Sequence, residues 1–300
     1  MRAVQFEEYG PAEVLHLVDV ETPAAGPGQV QLRVAAAGVN PADFKWRAGL
    51  FQTMMPLTFP HVLGYDAAGT VTAVGPGVTR FKTGDRVVAT VKSGYAEYAV
   101  TDEALCALLP EALDFAQGAA LPCAALTGVQ LVEQGICPEK GQTVLVTGAT
   151  GSVGRFSVQA ALALGAHVVA AVRPSYFDEA RQLGANEVIS IEDGDREGLA
   201  FDHVADTVGG PAVAKLCRHV APGGVIATVA TTPIDPEGLP TAPKFFGYNP
   251  NGARLARIVD DVASGVIPMP VARRLPLAEA AEAHRLMEAG GLRGKVILEP

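Results

Sequence analysis

The chain is predicted to be an α/β protein, with a β-rich domain of short strands followed by a doubly wound parallel sheet. Three observations lead there. The first hundred residues read as short strands cut by turn residues, the stretch from about Pro122 alternates strands with helices, and one buried strand runs into three regularly spaced glycines. At 300 residues the chain exceeds the usual size of one domain.

In the first part, strands are predicted at Gln29 to Ala36, Gly69 to Val74 and Asp85 to Val91, with Pro76-Gly77 and Thr83-Gly84-Asp85 as turns. Strands this short, without crossover helices, favour a small barrel or sandwich. The next part predicts strands at Thr143 to Thr147, His167 to Val172, Asn186 to Ile189, Phe201 to Asp206 and Gly224 to Val229. Between them fall helices at Ser152 to Leu164, Phe177 to Leu183 and Pro211 to Val220. Such alternation calls for a parallel sheet whose ligand lies at the carboxyl ends of its strands. Residues 251–300 carry helices near Ala253 to Ser264 and Leu277 to Ala289 and a strand at Lys295 to Leu298. Pattern alone does not say which domain they join.

Composition excludes several classes of function. With 49% hydrophobic and 18% charged residues the chain suits a globular enzyme rather than a disordered segment. Its net charge of −9 argues against nucleic acid and anionic membranes as general partners. No apolar run approaches the roughly 20 residues of a spanning helix, and none of signal-peptide length opens the sequence. Cys106, Cys123, Cys137 and Cys217 are scattered and form no Cys-x-x-Cys pair, so a reduced, cytoplasmic setting is expected.

Gly148-Ala149-Thr150-Gly151-Ser152-Val153-Gly154 is the most informative local stretch. Glycines let a turn tighten and let backbone approach a pyrophosphate, and a helix opening at Ser152 would direct free N–H groups and a positive dipole end at the anion. The spacing departs from Gly-x-Gly-x-x-Gly, so that fingerprint is not strictly matched. A site that prefers NAD carries an acid at the end of the second strand, about 20 residues beyond the glycines, to bond the ribose 2′-hydroxyl. Here that end reads Val172-Arg173-Pro174-Ser175. Arg173 offers a charged donor fork and Ser175 a hydroxyl to a 2′-phosphate, so NADPH is the expected cofactor.

Several ordered motifs run along nearly the whole chain. They include Gly38-Val39-Asn40-Pro41-Ala42-Asp43-Phe44-Lys45, Gly64-Tyr65-Asp66, Lys82-Thr83-Gly84-Asp85, Gly94-Tyr95-Ala96-Glu97-Tyr98, Asp206-Thr207-Val208-Gly209-Gly210 and Arg293-Gly294-Lys295. As a set they resemble the medium-chain dehydrogenase/reductase superfamily, and within it the zinc-free quinone oxidoreductase and enone reductase branch. The resemblance implies a GroES-like catalytic domain made of residues 1–121 and 251–300 around a Rossmann NADP-binding domain of residues 122–250. It also implies a cleft holding the nicotinamide, and a homodimer.

Zinc members of that superfamily carry an early Cys, a Gly-His-Glu segment and a cluster of four cysteines. This chain reads Gly64-Tyr65-Asp66 at the second place and lacks the others, so no metal is expected. Without zinc to acidify a hydroxyl, an already activated acceptor is easier to serve: a quinone or the C=C bond of an α,β-unsaturated carbonyl, small and apolar. The resemblance makes Lys45, Tyr65 and Asn40 the catalytic candidates, with Lys45 first for an oxyanion or cofactor-ribose contact. For the cofactor it adds Thr127, Val208, Gly209, Arg293, Gly294 and Lys295 to Gly148, Thr150, Gly151, Ser152, Val153, Gly154, Arg173 and Ser175. Phe44, Trp46, Phe51, Met54 and Phe59 are expected either to line an acceptor pocket or to be plain core. An enoyl reductase serving one pathway intermediate, and a non-catalytic NADPH-binding sensor or structural protein, stand as alternatives that turnover would separate.

Overall fold

A computed structural model describes residues 1–300, which divide into two compact units: Met1–Cys123 with Pro250–Pro300, and Ala124–Asn249. The first unit opens with β1 (Arg2–Phe6), β2 (His16–Asp19), β3 (Gln29–Val39), α1 (Pro41–Arg47), β4 (His61–Val62) and β5 (Asp66–Val74). It continues through β6 (Arg86–Thr90), β7 (Tyr98–Asp102), β8 (Cys106–Leu108) and α2 (Phe115–Ala119). Its spine is β3, which buries alternate residues along its first half and then every residue from Ala37 on, because strands flank it on several sides. Antiparallel partners β5 and β7 both pair with it, and two register shifts against β5 bend the strand so that it can serve both. A separate antiparallel sheet joins β2, β1 and β4.

The second unit takes α3 (Pro122–Gln130) from Ala124 on, with a π-helical turn following at Leu131–Ile136, and then β9 (Thr143–Thr147), α4 (Gly154–Ala163), β10 (His167–Val172) and α5 (Phe177–Gln182). After these come β11 (Glu187–Ser190), β12 (Phe201–Asp206), α6 (Gly210–Cys217), β13 (Val220–Thr228) and β14 (Lys244–Phe245). The six strands are ordered β11-β10-β9-β12-β13-β14 and pair in parallel. With order reversing at β9, the sheet is doubly wound, and the carboxyl ends of β9, β10 and β12 meet at the switch point.

Residues 250–300 supply α7 (Gly252–Ala263), β15 (Val271–Pro276), α8 (Ala280–Ala289) and β16 (Lys295–Glu299) to the first unit. There β16 pairs antiparallel with β3, Val296 against Val39, and β15 lies parallel outside it. Leu277, Ala280, Ala283, Val296 and Leu298 share one buried cluster with Val4, Phe6, Leu32, Val39 and Leu63. No helix is long and apolar enough to cross a membrane.

Two sequence expectations need correction. The helix expected from Ser152 begins at Gly154, because residues 151–153 are still turning: the N–H of Gly151 donates back to the carbonyl of Gly148 at 2.8 Å. The helix expected to reach Val220 ends at Cys217, since Val220 already begins β13.

Candidate active site

The second unit builds its candidate cofactor site from strand ends. Val144, Leu145 and Val146 are fully buried in β9 and bring the chain to Gly148, whose φ of 60° and N–H bond to Ala171 at 2.9 Å start the turn. A Cβ on Gly154 would stand 2.2 Å from the Gly148 carbonyl oxygen, so only glycine lets α4 return this close to the strand. A Cβ on Gly151 would meet nothing nearer than that oxygen at 3.0 Å. No side chain caps α4, and the N–H groups of Arg155 and Phe156 donate to the Gly151 and Val153 carbonyls at 3.1 Å each, so the N–H groups of Ser152, Val153 and Gly154 are the ones left for an anion. That arrangement fits a dinucleotide pyrophosphate.

Around the turn the fold gathers most of the expected residues of this unit. Buried Thr127 lies on α3, where a Cβ on Gly128 would reach the Val153 carbonyl at 2.3 Å, and the Ser157 hydroxyl donates to the Gly128 carbonyl at 3.0 Å. A Cβ on Gly148 would meet Val208 Cγ2 at 2.7 Å, so Val208 borders the turn directly. At the neighbouring end of β10, Arg173 and Ser175 are exposed, and the Arg173 guanidinium lies 5.4 Å from the centroid of the Tyr176 ring. Asp178 is inside α5, paired with Arg181 at 2.7 Å, which leaves no acid at the strand end.

The first unit has a buried polar network at the carboxyl end of β3. Asn40 donates through Nδ2 to Asp66 Oδ2 at 3.0 Å, and Lys295 Nζ donates to Asn40 Oδ1 at 2.5 Å and approaches Asp66 Oδ2 at 3.3 Å. Asp66 Oδ1 accepts the Cys123 N–H at 2.8 Å. Register explains the meeting: Asp66 lies across from Gly38, and Val296 across from Val39. Asn40 and Lys295 are each 3% exposed, and their polar atoms are spent on one another and on Asp66. Neither is free to touch a ligand as expected; Lys295 balances an interior carboxylate and Asn40 holds the pair in place. Arg293 and Gly294, in the same turn, are exposed and half-buried, and the Gly294 φ of 119° lets the chain pass the Pro270 carbonyl.

Beside this lies a second chain of groups that sequence reasoning missed. Asp43 Oδ2 accepts the Asn40 N–H and the Tyr95 hydroxyl, each at 2.8 Å, while Oδ1 has no partner. The Tyr95 oxygen is 3.2 Å from His284 Nε2. Burial pushes the Asp43 carboxyl up to about 7, against the pull of its hydrogen bonds, with the Asp66 charge adding to the rise. Burial, then the Arg47 charge, drives His284 down to about 3. At neutral pH the imidazole is therefore uncharged. The signal was present in the Asn-Pro-x-Asp and Gly-Tyr-Ala-Glu-Tyr motifs, but only the fold joins them.

Tyr65, half-buried just before β5, has its phenol pushed well above its usual range by burial first and then by the Asp43 charge. It stays protonated, a hydrogen-bond donor. Lys45 is half-buried on α1, its ammonium 5.7 Å from the Phe44 ring centroid, and burial without any charged partner pulls its pKa down. The aromatic set does not form one pocket. Phe59 packs edge-on to Phe6 and Tyr9, Trp46 to Phe51, and Met54 is 71% exposed. No three His, Cys, Asp or Glu side chains converge as a metal needs, and Tyr65 stands at the histidine's place, so the residues do not fit the catalytic zinc of the wider superfamily.

Comparison with known proteins gives the family. A family model described as an alcohol dehydrogenase GroES-like domain matches residues 26–111, and one described as a zinc-binding dehydrogenase matches residues 183–298. The chain is 34% identical to a quinone oxidoreductase of Pseudomonas aeruginosa, over 100% of this chain and 99% of the relative. It is 34% identical to a 2-methylene-furan-3-one reductase of Solanum lycopersicum, over 100% of this chain and 79% of that protein. A mycobacterial protein solved in complex with NADPH superposes with a TM-score of 0.85 at 28% identity, each chain covered completely. With relatives this similar matched over the whole of this chain, it belongs to the quinone oxidoreductase branch of the medium-chain dehydrogenase/reductase superfamily and is an oxidoreductase.

Proposed function

We propose that the chain is an NADPH-dependent, zinc-independent reductase that delivers a hydride to a quinone or to the C=C bond of an α,β-unsaturated carbonyl. The observation that carries this is the glycine turn lying beside a strand end that presents Arg173 and no acid. Gly148, Thr150, Gly151, Ser152, Val153 and Gly154 would hold the pyrophosphate, Arg173 and Ser175 the 2′-phosphate, and Thr127, Val208 and Gly209 the nicotinamide side. When bound, the dihydronicotinamide supplies the hydride. Names of relatives that act on quinones and on an enone support the acceptor class. Four cysteines that form no disulfide and the acidic charge support a cytoplasmic setting, and the family a homodimer.

Reduction leaves charge on the conjugated oxygen, which a donor must meet. Lys45 and Tyr65 are the first unit's candidates: Tyr65 keeps its proton, and Lys45, its pKa lowered by burial, gives one up more readily than a solvated lysine. A donor that strengthens its bond only at that oxyanion lowers the barrier without tightening ground-state binding. Removing one costs on the order of 3 kcal/mol, about a hundredfold in turnover. The test is NADPH consumption screened over quinones, enals, enones and enoyl thioesters, with Lys45→Ala and Tyr65→Phe measured on the best acceptor. Lys45→Ala should lower kcat about a hundredfold and leave NADPH binding intact. No turnover with any acceptor would reject the reading, and a raised KM for NADPH with kcat unchanged would move Lys45 to the cofactor ribose.

A further inference from the structure

One buried carboxylate in the second unit gathers the ends of three neighbouring strands. Asp206 closes β12, between β9 and β13 in the sheet. Its Oδ1 accepts the Thr147 hydroxyl at the end of β9 (2.5 Å) and the N–H groups of Val208 and Gly209 (3.0 Å each). Its Oδ2 accepts the Thr228 hydroxyl at the end of β13. Thr147 extends the connection: its hydroxyl accepts the Thr207 N–H at 3.0 Å, and its carbonyl accepts the Thr207 hydroxyl at 2.8 Å. Thr228 in turn accepts the N–H of Ala230 at 3.0 Å. Asp206 and Thr147 are fully buried, so neither touches a ligand.

This node joins two pieces of backbone. Thr147 immediately precedes the glycine turn, and residues 207–209 form the loop into α6. A Cβ on Gly148 would stand 2.6 Å from Thr207 Oγ1, and Gly209, at φ 71°, has room for none, with the Thr232 carbonyl 2.1 Å from where it would sit. The loop is thus pressed against the turn on one side and against residue 232 on the other, with Asp206 beneath it.

We infer that Asp206 is a positioning residue for the dinucleotide: it locks the loop Thr207–Gly209 against the glycine turn before the cofactor arrives, so that binding does not have to order the loop. The inference rests on the reading that this unit binds NADPH. Because every contact of the node lies within the second unit, its loss should affect the cofactor and spare the acceptor.

The experiment compares Asp206→Ala with Asp206→Asn in the full-length chain, reading the NADPH dissociation constant by titration and kcat and KM for each substrate. Asparagine keeps one carbonyl oxygen for the Thr147 hydroxyl and the two backbone N–H groups, and can turn its NH₂ to Thr228 Oγ1 as acceptor. Asp206→Asn should therefore stay within about threefold of the wild-type dissociation constant, while Asp206→Ala raises it and the KM for NADPH on the order of tenfold or more. At saturating NADPH, kcat and the acceptor KM should stay within about threefold of wild type. Should Asp206→Ala fail to fold, Thr147→Val against Thr147→Ser makes the same comparison, since serine keeps the hydroxyl that joins loop to turn. A folded Asp206→Ala or Thr147→Val that binds NADPH like wild type, with only a lowered Tm, overturns the inference. Wild-type protein that binds neither NADPH nor NADH is a different result: it removes the cofactor reading beneath it.

Discussion

The two units bury their carboxylates in different company. Asp206 is held by hydroxyls and backbone N–H groups, none of which titrates near neutral pH, and its links organise the backbone at adjacent strand ends. In the first unit Asp66 is held by an ammonium and an amide, and Asp43 by an N–H and a phenol that leads on to an imidazole. Those links run between segments 229 and 255 residues apart for Lys295 with Asp66 and Asn40. Neutral donors suffice to set a loop between neighbouring strands. Where residue 295 is tied to residues 40 and 66, this protein uses charge, and stability there becomes exposed to loss of a partner.

The sharpest way to break the comparison is to remove the balancing charge. Lys295→Met leaves the Asp66 carboxylate buried with only the Asn40 and Cys123 donors, and should cost about 3–5 kcal/mol of unfolding free energy, on the order of 10 °C in Tm. Adding Asp66→Leu to that variant should restore much of the loss, since no charge is then stranded. A double variant no more stable than the single one would show that packing, not charge, holds this region.

Acidity tests the second chain of groups. The Asp43 pKa is raised from 3.8 to about 7, so the stability its protonated form contributes is full below about pH 4 and lost as pH rises through 7. His284 is lowered from 6.5 to about 3, so its contribution is full above 6.5 and lost as pH falls towards 3. Between about pH 4 and 6.5 the two slopes, each at most about 1.4 kcal/mol per pH unit, oppose one another. Asp43→Asn should make stability climb with pH across that window, and His284→Gln should make it fall. Urea unfolding at three pH values reads both slopes, and two flat profiles would mean that neither group is perturbed as described.

Smaller effects belong to exposed groups outside both networks. Arg173→Ala should lower the preference for NADPH over NADH about tenfold, roughly 1.4 kcal/mol, with unfolding free energy unchanged within about 0.5 kcal/mol. An unchanged preference would remove Arg173 from the 2′-phosphate. Smallest of all, Tyr176→Leu should weaken that preference about two- to fivefold by removing the ring against which the guanidinium rests, an exposed cation–π contact of about 0.5–1 kcal/mol. Tyr176→Phe, which keeps the ring, should keep the preference.

What could be read from the sequence follows the physics of each element. Strands β9 and β10 lie where their apolar runs do, because burial on both faces leaves little room for polar residues in their interiors. The strands β1, β2, β4, β7, β8, β14 and β15 went unseen, being short or mixed with charge; β15, at a sheet edge, reads Val-Ala-Arg-Arg-Leu-Pro. The glycine turn was legible since turn, strand and helix are contiguous. The polar networks were not: Tyr95 and His284 meet across 189 residues, and no local spacing announces it. Asp206 stood in a recognised motif, yet its three hydroxyl and amide partners on one oxygen are a property of the folded sheet.

The pairing of β16 with β3 also sets a schedule for the ribosome. The second unit is continuous in sequence and can close once its last strand emerges, whereas the first unit waits for residues 250–300 to cover the β3 edge and deliver Lys295 to Asp66. Synthesis of residues 124–249 alone takes on the order of ten seconds. Throughout that interval the nascent first unit carries an open strand edge and an unmatched acid in its interior, which makes translation the period in which this chain is most exposed to misassembly and most dependent on chaperones.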